Sequence, residues 1–399
     1  METGAVRGLS AGVNQQGLRD HNERLILSTL QRHGPLPGSD LARVAGLSAQ
    51  TVSVILRELE GEGLIRRGAP QRGRVGKPRI PMGLSPEGAF SVGLKIGRRS
   101  ADLLLSDLAG GVRGQLQATY RWPVPEEVFA FLRRGLESFT AAMRPEEAAR
   151  IAGIGIAKPY EIWDWHAALG APDGALDAWR TVDYAAAAAA FSPLPVFLEN
   201  DGTAACRAEQ VHGRGREFRD FAYFFVGSFI GGGVVLNHGV LEGAFGNAGA
   251  FGSLPVRDDG GRDRQLIDVA SLFLLEEALI REGVPTARLW TQPQDWSAFR
   301  APLDAWIAGT ARQLARAAVT VCAVIDFEAV LIDGAFPPDV RARLVEAARA
   351  ELAHLDRRGL SPIRIEEGQV GGNARALGAA SAPLFARYLL NTHGAGTAA

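Results

Sequence analysis

The chain has 399 residues, with 47% hydrophobic and 22% charged side chains, the proportions of an ordinary globular protein with room for two or three domains. Its net charge of −1 conceals an asymmetry: residues 1–85 hold 12 basic and 7 acidic side chains, a head of net +5 ahead of a body of net −6, so polyanion binding falls to the head. Cys206 and Cys322 lack metal-ligand spacing, the amino terminus lacks the apolar core of a secretory signal, and no apolar run nears the roughly 18 residues of a membrane span; a disulfide framework, a cysteine–zinc cluster and a membrane protein are set aside, and a cytoplasmic location is expected.

In chain order, Leu25, Ile26, Leu27 and Leu30 follow Asn22 at helical spacing, and Gly34-Pro35 ends that helix. Pro37-Gly38-Ser39 opens a second helix, with Leu41, Ala42 and Val44 expected to face inward. Gly46 supplies a tight turn, and Ser48 caps a third helix whose apolar face is Val52, Ile55, Leu56 and Leu59. Its other face offers Ala49, Gln50, Ser53 and Arg57, short or hydrogen-bonding side chains near the end that enters a major groove. Gly61 and Gly63 stop that helix, and Leu64-Ile65 begins a strand. Arg66, Arg67, Arg72, Arg74, Lys77 and Arg79 then crowd a hairpin punctuated by glycine and proline, the composition of a wing laid against phosphates or of a basic strip entering a narrow minor groove. The expected DNA contacts are Ser48, Gln50, Thr51, Ser53, Arg57, Arg72, Arg74, Lys77 and Arg79. A solvated charge run beside a protein-binding helical module is the competing reading of this region.

From Phe90 the pattern changes to strands alternating with helices. Strands fit Ser91–Gly97, Ala101–Ser106, Gly114–Tyr120 and Ile151–Ala157, with a helix over 126–143, and the alanine run Ala185–Ala190 reads as part of a surface helix. The series restarts with strands at Pro195–Asp201 and Phe221–Val226, a glycine loop Gly227–Gly233, a strand over Val234–Asn237 and a hairpin turn at Asn237-His238-Gly239. Helices over 266–282 and 301–325, a buried strand Val330–Ala335 and a helix over 338–354 follow. The expected class is α/β: two halves related by duplication, with a ligand cleft where strand ends converge.

Four segments carry a specific resemblance: Gly46-Leu-Ser-x-x-Thr-Val-Ser53, Gly76-Lys-Pro78, Glu199-Asn-Asp-x-x-Ala-Ala205 and the glycine loop at 227–233. Their order and spacing, from about Asn22 to Leu390, are similar to those of the ROK family (repressors, open reading frames, kinases). The resemblance implies an amino-terminal winged helix-turn-helix over residues 1–85, then a two-lobed actin-like (ribonuclease H-like) sugar-kinase fold. The lobes are expected at 86–198, with 378–392 returning to the first, and at 199–377, with a flexible tail at 393–399.

The chain departs from the family's kinases where they handle ATP. Lys95 stands for the aspartate of the first phosphate motif, Arg98 and Arg99 for its small residues, and Phe229 for a glycine of the second. Asp201 matches the family's catalytic base; with Asn200 it either holds a polyol or caps the helix starting near Gly202. Ala250 and Ser253 replace the glutamate and histidine of the sugar-binding segment after Asn247, and a short charged loop, Val256–Gln265, replaces the zinc-binding cysteines. No catalytic residue, metal or cofactor is therefore expected.

Lys77, Lys95 and Lys158 are the chain's only lysines. The expected effector contacts are Asn200, Asp201, Lys95, Lys158, Gly231, Gly232 and Asn247, with Lys95 and Lys158 either favouring an anionic ligand or pairing with nearby carboxylates. Trp163, Trp165 and His166 lie on an adjacent segment, where lobe packing competes with stacking on a sugar. His212 and His238 are expected in solvated turns, and Glu209 on a helix surface. The function implied is a homodimeric or higher-order regulator, a repressor, that binds a double-stranded DNA operator under control of a sugar-like effector. An ATP-dependent sugar kinase with an accessory DNA-binding module, and a protein-binding scaffold with a vestigial cleft, are the alternatives.

Overall fold

The computed structural model describes residues 15–70, 79–166, 170–290 and 294–390. These form two compact units, one reaching Gly88 and including Tyr388–Leu390, the other spanning Ala89–Arg387.

In the first unit, helix α1 (Gln15–His33) stops where Gly34 turns left-handed, at φ +73°. Strand β1 (Leu36–Pro37) leads into α2 (Gly38–Ala45), closed by Gly46 at φ 66° with its N–H on the Ala42 carbonyl. Helix α3 (Ala49–Gly61) starts under a Ser48 cap, the hydroxyl accepting from the Thr51 N–H at 3.1 Å. Val52, Ile55 and Leu59 of α3 are buried, as are Leu41 of α2 and Ile26, Leu27 and Leu30 of α1. The wing strands β2 (Ile65–Arg67) and β3 (Pro81–Leu84) pair antiparallel, with β1 on the far edge of β3. Val44, expected inside, is 46% exposed. At about 100° per residue Ala45 and Ala42 fall on one side of Leu41 and Val44 on the other, and a helix this short buries only one side.

The second unit is built twice over. Its first sheet runs β6-β5-β4-β7-β8, where β4 is Phe90–Ile96, β5 Ser100–Asp107, β6 Val112–Thr119, β7 Ile151–Lys158 and β8 Val196–Asn200. The second runs β11-β10-β9-β14-β15, with β9 Phe221–Val226, β10 Ile230–Leu236, β11 Gly239–Leu241, β14 Ala329–Gly334 and β15 Ile365–Glu367. In each, three antiparallel strands are followed by two parallel ones. This repeat is the actin-like arrangement, and the sheets are the cores of the two lobes.

Helix α4 (Pro125–Ala141) buries Val128, Leu132, Leu136 and Phe139 within the core of the first sheet. Helices α5 (Asp201–His212), α6 (Leu272–Arg281), α7 (Arg300–Val324), α8 (Pro338–Ala353) and α9 (Ala374–Tyr388) complete the unit. Helix α9 lies directly on strands of the first sheet and on α5: a side chain at Gly155 would strike the Ala379 carbonyl, and one at Gly378 the Ala204 carbonyl. The short helix Tyr184–Ala189 carries the alanine run, with Ala188 buried and Ala186 and Ala189 exposed.

Three local expectations need correction. The helix expected over 266–282 is a turn at Leu266–Asp268 followed by α6. Ser271, fully buried, interrupts it: its hydroxyl donates to the Ile267 carbonyl and accepts from the Ile230 N–H, while its carbonyl takes the Trp306 indole N–H. The glycine loop is a loop only at Gly227–Phe229, because Gly231–Gly233 are strand residues paired with β9. The glycines permit close packing: a side chain on Gly202 at the start of α5 would come within 2.6 Å of the Gly232 carbonyl. The charged loop Val256–Gln265 is a hairpin of β12 (Pro255–Arg257) and β13 (Asp263–Gln265).

Candidate functional site

On the first unit, Ala49, Gln50, Ser53 and Arg57 form an exposed face of α3. Among the described residues Gln50, Ser53 and Arg57 have no hydrogen bond or ion pair, so their donors and acceptors remain free for base edges. Ser48 and Thr51 are tied to each other, hydroxyl to hydroxyl at 2.8 Å, and serve the helix start. Val54, 44% exposed beside Ser53, adds an apolar side chain to this face that the sequence reading missed. Arg72, Arg74 and Lys77 lie outside the described residues. Arg79 is exposed and sits 3.6 Å from Asp40, a pair weak enough for a phosphate to displace. Arg67 is committed to Glu60 by two hydrogen bonds of 2.7 and 2.8 Å.

Between the lobes of the second unit lies a cleft of about 940 Å³, lined among others by Lys95, Asn200, Asp201, Gly231, Gly232 and Asn247. Six of the seven expected effector residues therefore meet there. Lys158 does not; it lines a separate, smaller cavity.

Lys95 is not a free cation. Its ammonium donates to Asp102 Oδ2 at 2.8 Å and to Ser100 Oγ at 3.1 Å, and the side chain is 9% exposed. Burial pulls the Lys95 ammonium below its ordinary range, and Asp102 offsets part of that. Burial pushes the Asp102 carboxyl up, but Lys95 outweighs it, aided by a 2.6 Å bond from Gln117, and the net direction is down. Lysine next to a carboxylate on the neighbouring antiparallel strand is a cross-strand pair, and the resulting neutrality removes Lys95 as an anion receptor.

Asn200 caps α5, its side-chain oxygen accepting from the Gly202 and Thr203 N–H groups at 2.9 and 3.3 Å. Asp201 projects from the first turn of α5 and meets Arg375 at 3.3 Å. Arg375 in turn lies over the Phe225 ring, 5.0 Å from its centre. The positions that depart from the kinase pattern also meet. Arg98 stacks over Phe229 at 3.7 Å, and Trp165 meets the same ring edge-on at 4.8 Å. Burial draws the Arg98 pKa down to about 10. Phe229 thus plugs the space between Arg98 and Trp165 of the first lobe. A second bridge at the rim is reciprocal, Gln115 and Asn373 exchanging amide hydrogen bonds of 3.1 and 3.3 Å. Arg375, Gln115 and Asn373 escaped the sequence reading because no local pattern marks residues that meet only when distant segments fold together.

Glu209, expected on a surface, is fully buried. Its carboxylate accepts the N–H groups of Arg214, Gln369 and Val370 at 2.8, 3.0 and 3.2 Å, anchoring the segment before α9. Burial pushes its pKa up, with Asp333 adding to the effect. His212, expected in solvent, packs with Nε2 3.2 Å from Ser381 Oγ. His238 does occupy the hairpin turn, at φ 62° beside Asn237 at φ 50°. Among the described residues no group of three or more histidine, cysteine, aspartate or glutamate side chains could hold a metal ion.

Residues 91–263 match the ROK family model, and residues 19–66 match a winged helix-turn-helix DNA-binding model. The chain thus carries a ROK-family match behind a winged helix-turn-helix match. The uncharacterized protein y4fQ of Sinorhizobium fredii is similar to the chain, 26% identical over 92% of this chain and 91% of that one. A xylose repressor of Bacillus subtilis is 24% identical over 62% of this chain and 63% of its own length, so the match spans a little under two thirds of that relative. The crystal structure of a ROK-family transcriptional regulator, a homologue of the Escherichia coli MLC protein, superposes with a TM-score of 0.62 over 91% of this chain and 94% of that one, at 22% identity; at that identity it shows the shared fold. No helix among the described residues is long and apolar enough to cross a membrane.

Proposed function

We propose that this ROK protein is a sequence-specific transcriptional repressor whose hold on DNA is set by a small neutral sugar or polyol in the interlobe cleft. The observation that carries the reading is the pairing of two surfaces in one chain. One is a capped helix presenting unpartnered Gln50, Ser53 and Arg57; the other is a roomy cleft whose phosphate-handling positions are closed. Gln50, Ser53 and Arg57 read bases, while Arg72, Arg74, Lys77 and Arg79 hold phosphates or the minor groove. In the cleft, Asn200, Asp201, Asn247 and the backbone at Gly231 and Gly232 offer the hydrogen bonds a polyol needs.

Charge supports a neutral ligand. The cleft lining holds four cations, Lys95, Arg98, Arg99 and Arg375, against five acids, Asp102, Glu161, Asp164, Asp201 and Glu276. The kinase alternative has less support. A kinase places carboxylates on magnesium and bare backbone on phosphates. Here a neutralised lysine and a phenyl ring stacked on arginine hold those positions. The protein acts as a homodimer, with half-sites about one helical turn (~34 Å) apart, or a multiple of it. Ligand-driven movement of the lobes alters the match to that spacing. Its place of action is the cytoplasm.

Fluorescence anisotropy on a labelled fragment from upstream of its own coding region tests this reading. Tight binding that exceeds random DNA by about 10³-fold or more and is reversed or enhanced by one neutral sugar of a panel is the expected result. Arg57→Ala should weaken the preferred fragment about 10- to 100-fold while barely changing random DNA. Equal affinity for all fragments, or phosphate transfer from ATP to a sugar, would overturn it.

A further inference from the structure

A second cavity of about 220 Å³ opens on the other side of the Lys158–Asn200 strand ends, and it is assembled like a receptor for a small anion. Lys158 ends β7 and Asn200 ends β8, as directly paired residues, and Thr203 sits in the first turn of α5 just beyond. Each contributes a donor. The Lys158 ammonium has no carboxylate at ion-pair distance among the described residues: Asp201 and Glu161 act on it only from beyond that distance, and the Tyr184 ring lies 6.0 Å away. The Thr203 hydroxyl is buried, in a residue 1% exposed, and has no hydrogen-bond partner. Asn200 uses its oxygen to cap α5, which leaves its amide nitrogen as the donor. The start of a 12-residue helix adds its own positive end to these three groups.

The acids of this cavity are already engaged. Glu199 and Glu242 both bind the guanidinium of Arg207, which is 4% exposed and also lies over the Phe385 ring. What remains without partners is a set of donors, and donors without partners fit an acceptor. The rest of the wall is mostly apolar, with Phe197, Phe385 and Phe245, the last 89% exposed, beside Leu198 and Ala382. A dry cavity of roughly 150 Å³ takes up a benzene ring. The larger space here has room for a ring and a carboxylate together.

We propose that this cavity binds a small organic carboxylate, its charged head on Lys158, Asn200 and Thr203 and its apolar body against Phe245 and Phe385. The cavity is separate from the interlobe cleft, and its binding of an acid does not depend on the reading given to that cleft; only the coupling between the two rests on it. Asn200 and Tyr160 line both cavities, so an occupant of one alters the wall of the other. The protein thereby has a route for a second metabolite class, an acid, to modulate its response to the first.

Benzoate is the probe, with benzyl alcohol and benzylamine as neutral and cationic counterparts, each titrated into the full-length protein by calorimetry. Benzoate should bind one site per chain, and the alcohol and amine should not compete with it. Lys158→Met should weaken benzoate at least about tenfold, the loss of one charge-assisted contact. Thr203→Val should weaken it less, with an unchanged melting temperature. Should either variant fail to fold, Phe245→Ser, at an exposed position, still discriminates: it should weaken benzoate several-fold and leave acetate unaffected. The proposal falls if benzoate does not bind, binds Lys158→Met as well as wild type, or is matched by benzylamine. Loss of sugar response with benzoate binding intact would count against the cleft reading alone.

Discussion

His212 closes α5 with Gly110 set against its ring, at a φ of +90° that only glycine adopts without strain. Burial pulls the imidazole pKa down to about 4, and Arg216 adds to this. The unfolded chain protonates the same ring near ~6.5. Because the folded value is the lower one, the stabilisation is complete above ~6.5 and is lost as pH falls towards the folded value. Replacing His212 with Gln keeps a partner for Ser381 and removes the titration. Between pH 7 and 4.5 wild type should lose about 2 kcal/mol more than His212→Gln in urea melts; parallel curves would mean that the ring is solvated. A histidine followed by Gly213-Arg-Gly215 has the local look of a turn, and only the packing of Gly110 and Ser381 around it reveals burial. Lys95 teaches the reverse. Both of its readings were open from the residue types, and the antiparallel register that sets Asp102 opposite it selected the ion pair.

At the scale of elements, periodicity and punctuation located most helices and strands to within a few residues. The helix-turn-helix was the most legible part, since its glycines, serine cap and apolar faces are all local signals. The glycines of the second unit were not. Gly378 and Gly309 are both helical glycines, and nothing in the flanking sequence shows that they differ. Gly378 lies against the backbone of α5, whereas Gly309 on α7 has open space where a side chain would go. Gly309→Ala should therefore stabilise the protein by about 0.5–1 kcal/mol through helix propensity alone. Gly378→Ala should destabilise it by about 3 kcal/mol or more, because the backbone it strikes cannot yield cheaply. Thermal melts of the two variants check the pair, and equal shifts would contradict the close crossing of α9 and α5.

For the second unit as a whole, the question is what holds its lobes in register across the cleft. The Arg98–Phe229–Trp165 stack and the Gln115–Asn373 amide pair bridge it at two places. Phe229→Ala should cost about 1–3 kcal/mol in urea melts and enlarge the radius of gyration in small-angle scattering, with sugar restoring compactness. A variant as compact as wild type without sugar would reduce the ring to a space filler. The amino-acid sequence by itself determined the order of the helix-turn-helix and the duplicated α/β body, and the residues that depart from the kinase pattern, because each of these is written in residue types at short range. Tertiary structure decided which charges are free. Lys95 is neutralised, Lys158 faces a different cavity, and Glu209 is enclosed by backbone N–H groups. Burial and partnership arise when segments distant in the chain come into contact, and those contacts set the electrostatics on which ligand choice depends.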